Sequence, residues 1–505
     1  MTPISFKDYP TQPVVIDNLS EKMMKECRFI PLEAGDGFLR IAMADPDDFY
    51  TIEALRLAYG VEIEVRQGKE GDILESIDRL YGAGSQSIET IIEEAGRDIY
   101  DISPEAVEDT EHLRDLASEA PIIRLVNRLI YNAVEQRASD IHFEPFEYEF
   151  KARYRIDGVL HDVESPPKRL QAAIISRVKI MAKLDIAERR LPQDGRIKLK
   201  IGDREIDFRV STIPTLFGES LVMRILDRET LILDLEKLGF PEDIYDQYTR
   251  LVSQPYGMIL VTGPTGSGKT STLYTTLAKI NSPENKIITL EEPVEYQLSG
   301  VNQIQVNPKI GLSFANGLRS IVRQDPDIIL VGEIRDRETA EIAVQSALTG
   351  HLLFSTLHTN DAAGAVTRLL DMGVESFLLS STLLGVLAQR LVRVICPHCK
   401  VPVVPDERLV KTMTKELGEE PDIAFYAGEG CEECRHTGFR GRTAIFEYLP
   451  IDRDIRKEIT QQSSTERIKD VAVQKGMKTL RQDGWRKVSA GITTISEVLR
   501  VTLEK

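Results

Sequence analysis

The chain has 505 residues, which is too many for one hydrophobic core and indicates roughly three or four domains. It is 42% hydrophobic and 28% charged, and it shows no basic leader and no uncharged apolar run of about 18 residues, so we expect a cytoplasmic globular protein. The net charge of −17 argues against a broadly basic surface for nucleic acid.

Two different parts precede residue 119. Residues 15–80 mix apolar and polar stretches such as FIPL and VEIEVRQ with helix-like segments, which predicts a small α/β domain over 1–82. The stretch GAGSQS and a strongly acidic run then follow, and low hydrophobicity with concentrated negative charge predicts a linker over 83–118.

A second α/β domain is predicted over 119–238. The helical pattern IIRLVNRLIYNAV leads into the alternating segments YEFKARYRID and REIDFRVST, which are typical of half-buried strands.

Residues 239–395 carry a different strand pattern. The segments MILVT, IITLE, DIILVG and HLLFST are almost uninterrupted apolar runs with helical segments between them. This pattern predicts a sheet covered on both faces, and therefore a doubly wound α/β fold.

The run GPTGSGKT follows the first of these predicted strands and leads into a predicted helix, which is the order of a P-loop. Its glycines let backbone N–H groups approach phosphate oxygens, which the helix N-terminus also attracts. Lys269 should reach the β- and γ-phosphates of ATP, and Thr270 should hold Mg²⁺. The predicted nucleotide-binding residues are Gly263, Pro264, Thr265, Gly266, Ser267, Gly268, Lys269, Thr270 and Ser271.

Acidic residues follow two of the predicted strands. Glu333 ends DIILVGE, where an acid can hold Mg²⁺ directly or through water. Glu291, Glu292 and Glu295 form a second cluster whose mutual repulsion favours a partner such as Mg²⁺, water or arginine, although a solvated loop is an alternative. The spacing alone does not choose among these three carboxylates.

Histidines and arginines supply further candidates. His351 and His358 flank one predicted strand; either can be structural, whereas His358 lies between threonines and can sense the γ-phosphate. Arg209 and Arg224, on strands of the second domain, can add positive charge opposite the developing negative charge. Four further arginines lie in the P-loop domain: Arg319, Arg323, Arg335 and Arg368.

Four cysteines form two CxxC pairs, Cys396 with Cys399 and Cys431 with Cys434. Two pairs can offer four thiolates to one tetrahedral Zn²⁺, which predicts a structural zinc site within 396–445. A redox CxxC is the competing interpretation, and His398 and His436 are possible substitute ligands. The remaining residues, 446–505, are predicted to be a helical subdomain.

Taken together, these motifs resemble the secretion ATPase superfamily, and specifically the assembly ATPases of type II secretion (the GspE family). The resemblance rests on GPTGSGKT, TLEEPVEY, RQDPDIILVGEIRDRETA, GHLLFSTLHTNDA and the two CxxC pairs, preceded by RLPQDGR and DFRVST. It covers about 120–505, and residues 1–80 resemble the family's N-terminal docking domain more weakly.

The resemblance implies a RecA-like core preceded by a PAS-like domain, and a homohexamer on the cytoplasmic face of the bacterial inner membrane. Its ATP hydrolysis would drive pseudopilus assembly and protein export. The implied partners are an inner-membrane platform protein that docks on the N-terminal domain and the polytopic platform protein of the same membrane. Membrane contact would be mainly through these partners, and no nucleic acid is implied.

The resemblance also implies site roles. Lys269 and Thr270 would bind phosphate and Mg²⁺, Glu333 would serve the metal, and Glu295 would orient or deprotonate the attacking water. His358 would contact the γ-phosphate, and Arg209 and Arg224 would close on the nucleotide. One departure is Glu292, where relatives commonly carry Asp before the proline, which puts the division of labour in that cluster in doubt.

Three other functions compete. Type IV pilus extension ATPases share the nucleotide motifs and the cysteines but usually carry a longer N-terminal region. A DNA-translocating motor lacks support from any aromatic and basic stripe. A regulatory protein with negligible turnover would bind ATP without needing Glu333.

Overall fold

The computed structural model describes residues 21–80 except 36, residues 110–227 except 164, 202 and 203, and residues 234–503 except 405 and 418–423. Residues 4, 9, 10, 14, 16 and 19 are described in addition. The chain divides into two compact units, Met1–Asp227 and Arg228–Lys505, and each is described by itself.

The N-terminal part is the small α/β domain that the sequence predicts. Its three strands lie in the order β1-β2-β3, with β1 antiparallel and β3 parallel to β2. Phe29, Ile41 and Leu55 are among the side chains buried in its core. The elements are α1 (Glu21–Glu26), β1 (Phe29–Gly35), β2 (Phe38–Met43), α2 (Phe49–Tyr59), β3 (Glu62–Gln67) and α3 (Glu70–Leu80).

A six-stranded antiparallel sheet of order β6-β5-β4-β9-β8-β7 forms the rest of this unit. Its apolar face packs against helices, of which the longest buries residues every three or four positions from Ile122 to Ala133. The elements are α4 (Thr110–Leu116), α5 (Ala120–Glu135), β4 (Asp140–Pro145), β5 (Phe150–Ile156), β6 (Val159–Asp162), α6 (Gln171–Met181), β7 (Gln193–Ile201), β8 (Arg204–Thr215) and β9 (Gly218–Asp227).

Most of the predicted acidic linker, 83–118, lies outside the described residues. Its last part differs from the prediction, because a helix begins at Thr110 and buries Leu113 and Leu116. Folded structure therefore begins before residue 119, because these two leucines are buried. The average composition of the acidic segment does not reveal two buried leucines.

The second unit contains a seven-stranded sheet of order β12-β11-β13-β14-β10-β15-β18. All adjacent pairs are parallel except β15 with β18, which confirms the predicted doubly wound fold. Met258 and Leu260 pack on one face, and Ile259 and Val261 on the other. The elements up to β15 are α7 (Glu242–Val252), β10 (Gly257–Thr262), α8 (Lys269–Ile280), β11 (Ile287–Glu291), β12 (Val301–Gln305), α9 (Phe314–Ile321), β13 (Ile328–Val331), α10 (Arg337–Leu348), β14 (Leu352–Leu357), α11 (Ala362–Asp371), α12 (Ser376–Thr382) and β15 (Leu383–Ile395).

The cysteine region is inserted between two strands of this sheet, since β18 returns to pair with β15. The predicted boundary at 445/446 therefore falls inside β18, and helices after it pack into the same core through residues such as Ile455 and Ile468. The predicted boundary at 238 is also displaced, because Leu235 packs under the P-loop sheet. The later elements are β16 (Lys400–Val403), α13 (Glu407–Leu417), β17 (Phe425–Gly428), β18 (Phe439–Pro450), α14 (Arg453–Thr460), α15 (Thr465–Gln474), α16 (Leu480–Ser489) and α17 (Ile495–Thr502).

Among the described residues, no helix combines the length and the apolar composition needed to cross a membrane.

Candidate functional site

The P-loop connects the buried strand β10 to helix α8, as predicted. Gly263, Gly266 and Gly268 have φ values of 152°, 78° and 89°, a region that side chains other than glycine rarely adopt. A Cβ atom on Gly263 would lie 2.5 Å from the Gln389 carbonyl oxygen, so the loop also needs glycine for space. Its N–H groups and the helix N-terminus therefore form a cradle suited to phosphate.

Lys269 lies at the first turn of α8 and folds back over the loop. Its Nζ donates to the carbonyl oxygens of Gly263 at 2.7 Å and of Pro264 at 3.1 Å. Burial lowers the pKa of Lys269 to about 8, an effect that Glu333 opposes and Arg390 reinforces. A phosphate anion would favour the charged form of this amine.

Gln389 on β15 packs beside Gly263 and Gly268 and supports the P-loop, a role that the sequence does not predict. Its side chain is buried and accepts a 2.7 Å hydrogen bond from Thr272 Oγ1, and its Nε2 lies 2.7 Å from where a Cβ on Gly268 would stand. The signal in the sequence was a single glutamine within the apolar run LLGVLAQRLV, more than a hundred residues from the P-loop.

Strand β14 lies between β10 and β13 in the sheet, and Glu333 and His358 follow the carboxyl ends of β13 and β14. His358 Nε2 and Glu333 Oε2 are 3.0 Å apart, and Arg335 also binds the Glu333 carboxylate. Thr359 N–H donates to Thr262 Oγ1 at 3.0 Å, which fixes the turn after β14 to the start of the P-loop. The parallel strands thus bring these groups to one edge of the sheet.

The acidic cluster after β11 separates into groups with different surroundings. Glu291 is buried and accepts hydrogen bonds from Tyr274 Oη, from Thr289 Oγ1 at 2.6 Å and from Gln303 Nε2 at 3.2 Å. Burial raises the pKa of Tyr274, so this phenol stays a neutral donor. These bonds give Glu291 a structural role.

The other two carboxylates of this cluster are more open to solvent. Glu292 lies 3.6 Å from Arg335, the same arginine that binds Glu333, so this departure from the usual Asp is tied to the metal-site candidate. Glu295 is half-buried, and its backbone N–H donates to the Tyr274 hydroxyl oxygen at 3.3 Å.

Arg209 and Arg224 lie directly opposite each other on β8 and β9. Arg224 Nε donates to Asp140 Oδ1 at 3.1 Å. In the P-loop unit, Arg319 is bound to Glu338, and His351 Nδ1 lies 2.8 Å from the Ser346 carbonyl oxygen, so these two have structural partners.

The four cysteines of the CxxC pairs come together as predicted, although 31 residues separate Cys399 from Cys431. Their Sγ atoms all lie within 4.8 Å of one another, and three Sγ···Sγ distances are 3.7 to 3.9 Å. Four thiolates around one Zn²⁺ at about 2.3 Å would be about 3.8 Å apart, so the donor set fits zinc. The N–H of Gly430 donates to Cys399 Sγ at 3.3 Å, as expected for a thiolate acceptor.

Comparison with known proteins places the chain. A family model for type II/IV secretion system proteins matches residues 115–500, and an MshEN domain model matches residues 2–87. The chain belongs to the type II/IV secretion system protein family. With its P-loop, this membership makes it an ATP-hydrolysing enzyme.

Relatives of this secretion family match almost the whole chain. The type II secretion system protein E of Xanthomonas campestris pv. campestris is 52% identical over 488 residues, 96% of this chain and 85% of that protein. The type IV pilus assembly ATPase PilB of Myxococcus xanthus is 45% identical over 503 residues, 98% of this chain and 88% of that protein. Among solved structures, the pilus retraction motor PilT with bound ADP has a TM-score of 0.51 at 27% identity, over 74% of this chain and 96% of PilT.

Proposed function

We propose that this ATPase powers pseudopilus assembly and protein export in a type II secretion system. The observation that carries the hydrolysis step is the meeting of three groups at one edge of the sheet: the P-loop with Lys269, and the Glu333–His358 pair on the adjacent strands. The relative that favours type II secretion is identical at 52% of positions over 96% of the chain.

The groups at the sheet edge divide the chemistry between them. Lys269 binds the β- and γ-phosphates, and Thr270 and Glu333 would hold Mg²⁺, which would neutralise charge on the phosphates. Water attacks the γ-phosphorus as its bond to the β,γ-bridging oxygen breaks, and Glu295 orients this water and accepts its proton. His358, held by Glu333, contacts the γ-phosphate.

Glu295 is a better candidate than Glu291 for the group that acts on water. Three side chains already donate to the Glu291 carboxylate, which is buried, so its oxygens are committed to holding β11 and α8 together. Glu295 follows on the same loop and is half-buried, so it is less enclosed than Glu291. Arg209 and Arg224 add positive charge at the phosphates.

The other parts of the chain take supporting roles in this proposal. Residues 1–82 dock on an inner-membrane platform protein, and 83–118 tether them to the domain over 119–238. Cys396, Cys399, Cys431 and Cys434 hold a structural Zn²⁺, since four sulfur ligands leave no position for a reacting water. The chain works as a homohexamer, peripheral on the cytoplasmic face of the inner membrane.

The test of hydrolysis is Glu333→Gln in the full-length protein. We expect ATP turnover to fall by about a hundredfold or more, because a carboxylate that serves the metal is lost, while ATP still binds the P-loop. Phosphate release measures turnover, and a fluorescent ATP analogue measures binding. Glu338→Gln, on the exposed start of α10, is the matched control. Unchanged turnover in Glu333→Gln would refute its assigned role.

Pilus extension is the second candidate, supported by 45% identity to PilB over 98% of the chain. The two candidate functions can be distinguished by complementation of a host strain that lacks its own copy of this protein. Restored export of folded proteins by the wild-type gene, without surface pili, supports type II secretion; restored pili with no change in export supports extension.

A further inference from the structure

The loop that carries Glu295 is bound to the helix that begins at the P-loop. This loop, residues 292–300, connects β11 to β12. The backbone N–H of Glu295 donates to Tyr274 Oη at 3.3 Å, and the Tyr274 side chain is buried on α8. Because α8 begins at Lys269, five residues earlier, about 7.5 Å of one helix separates Tyr274 from the residue that binds phosphate. One rigid element therefore places both Lys269 and the Glu295 backbone.

The hydrogen bonds at Tyr274 Oη form a chain with a defined direction. A phenol has one proton to donate, and its oxygen can accept as well. The proton goes to the Glu291 carboxylate, and the oxygen accepts the N–H of Glu295. Burial and the nearby charge of Glu291 raise the pKa of Tyr274, so the phenol keeps this proton. The Tyr274 ring also meets the Tyr296 ring edge-on, with 6.2 Å between the ring centroids.

Gln303 on β12 binds the same loop from a second element. Its Nε2 donates to the Tyr296 carbonyl oxygen at 2.9 Å and to Glu291 Oε1 at 3.2 Å. Its Oε1 accepts a hydrogen bond from the Leu298 N–H at 2.7 Å. The backbone is thus held at Glu295 and at the residue after it, which gives the base of the Glu295 side chain a defined position.

We propose that Tyr274 and Gln303 are positioning residues for hydrolysis, which fix the Glu295 backbone at the place from which its carboxylate acts on the attacking water. This inference rests on the proposed function, in which Glu295 orients that water and accepts its proton. Both residues act through Glu295 and not on the nucleotide itself. A displacement of about 1 Å in a group that acts on reacting atoms can cost about a hundredfold in rate. The competing explanation is that the Tyr274 hydroxyl only satisfies the buried Glu291.

The test is Tyr274→Phe in the full-length protein, which removes Oη and keeps the ring. We expect kcat to fall by about tenfold or more, because the Glu295 backbone loses its acceptor. The dissociation constant of ATP should change by less than about twofold, since Lys269 stays in place. Phosphate release measures kcat, and a fluorescent ATP analogue measures binding. Tyr248→Phe is the matched control: it removes a buried hydroxyl that lies 2.9 Å from Thr276 Oγ1 on the same helix, and kcat should stay unchanged.

A double-variant cycle tests whether Tyr274 acts through Glu295. Glu295→Gln and Glu295→Gln with Tyr274→Phe are compared in single-turnover assays with labelled ATP. If the hydroxyl acts through the Glu295 carboxylate, its removal should lower the rate by less than about twofold once that carboxylate is gone. A role limited to the stability of the fold would give the same loss in both backgrounds.

The outcomes separate this inference from the function on which it rests. Full turnover in Tyr274→Phe, with turnover lost in Glu295→Gln, would overturn the inference and leave the proposed function standing. An equal loss in both backgrounds, or a loss of ATP affinity as large as the loss of kcat, would also overturn it. Full turnover in Glu295→Gln would instead refute the role proposed for Glu295.

Gln303→Met provides the same comparison from β12, and it decides the question if Tyr274→Phe does not fold. It releases the backbone at Tyr296 and Leu298 and leaves the Tyr274 hydroxyl in place. We expect a lower kcat with nearly unchanged ATP affinity. Full turnover in Gln303→Met would show that the position of the loop does not control hydrolysis.

Discussion

The two large sheets of this protein differ in the burial and hydrogen bonding of their polar side chains. In the P-loop sheet, which is covered on both faces, Gln389 and Glu291 are buried and each has defined hydrogen-bond donors or acceptors. In the six-stranded sheet one face is apolar, and the other aligns Arg196, Arg209 and Arg224 side by side on three neighbouring strands.

This difference separates polar groups that are held in place by hydrogen bonds from charged groups that repel one another. Buried groups with satisfied hydrogen bonds hold their geometry, which is what a phosphate cradle needs. We expect mutations of the buried polar groups in the P-loop sheet to change stability and ATP binding together, and mutations of Arg196 or Arg224 to change stability only slightly.

Among the variants that compare the two sheets, Gln389→Ala behind the P-loop should have the largest effect, because it changes stability and ATP affinity together. It removes the acceptor of the Thr272 hydroxyl and leaves a space under Gly268, which should cost about 1–3 kcal/mol. The melting temperature should drop by several degrees, and ATP affinity should fall by about tenfold, as measured by calorimetry. Gln345→Ala, at an exposed position of α10, should change neither. Wild-type affinity in Gln389→Ala would mean that the cradle does not depend on its support.

A change of pH should have an intermediate effect, on ATP affinity alone. Burial lowers the pKa of Lys269 to about 8, so its amine is mostly charged at pH 7 and mostly neutral at pH 9. Because the charged form binds phosphate, ATP affinity should fall about tenfold as pH rises over this range, and binding at pH 8 should take up a proton.

Calorimetry in buffers of different ionisation enthalpy measures that proton. The variant Lys279→Met, at the other end of the same helix, should keep the same pH dependence. ATP binding that is equal at pH 7 and pH 9, with no proton uptake, would contradict the expected titration of Lys269.

The smallest expected effect is a difference in thermal stability between variants of Arg196 and Arg224, which lie on two strands of the six-stranded sheet. Arg196→Gln removes one like-charge neighbour, so the free energy of unfolding should stay equal or rise by about 0.2–1 kcal/mol, and the melting temperature should stay equal or rise slightly. Arg224→Gln takes a donor away from Asp140 and should lower it slightly. Thermal unfolding of the full chain measures the melting temperatures of both variants. A lower melting temperature for Arg196→Gln than for Arg224→Gln would contradict the expected repulsion between Arg196 and Arg209.

Much of the P-loop unit could be predicted because its signals are local. Each apolar run between turns became a parallel strand, and Glu333 and His358 met because both follow such strands. The tetracysteine site was also predictable, since two CxxC pairs suffice to indicate it.

The parts that sequence patterns could not provide depend on contacts between distant segments. Gln389 is recognised only once β15 lies beside β10, and the alignment of Arg196, Arg209 and Arg224 only once the register of three strands is known. The return of β18 to the P-loop sheet was missed because the cysteine region separates it from its partner strand. Glu291 and Glu295 differ in burial and not in residue type, so no pattern distinguishes them.

Strand β15 connects the cysteine cluster to the P-loop. Cys396 follows its last residue directly, and Cys434 stands just before its partner β18, so the four sulfurs fasten the outer end of a two-stranded ribbon. Gln389, seven residues before Cys396, lies on that ribbon behind the P-loop. A ribbon released at its outer end would fray inwards towards Gln389, so the proposed zinc site and the P-loop would be coupled along a single strand.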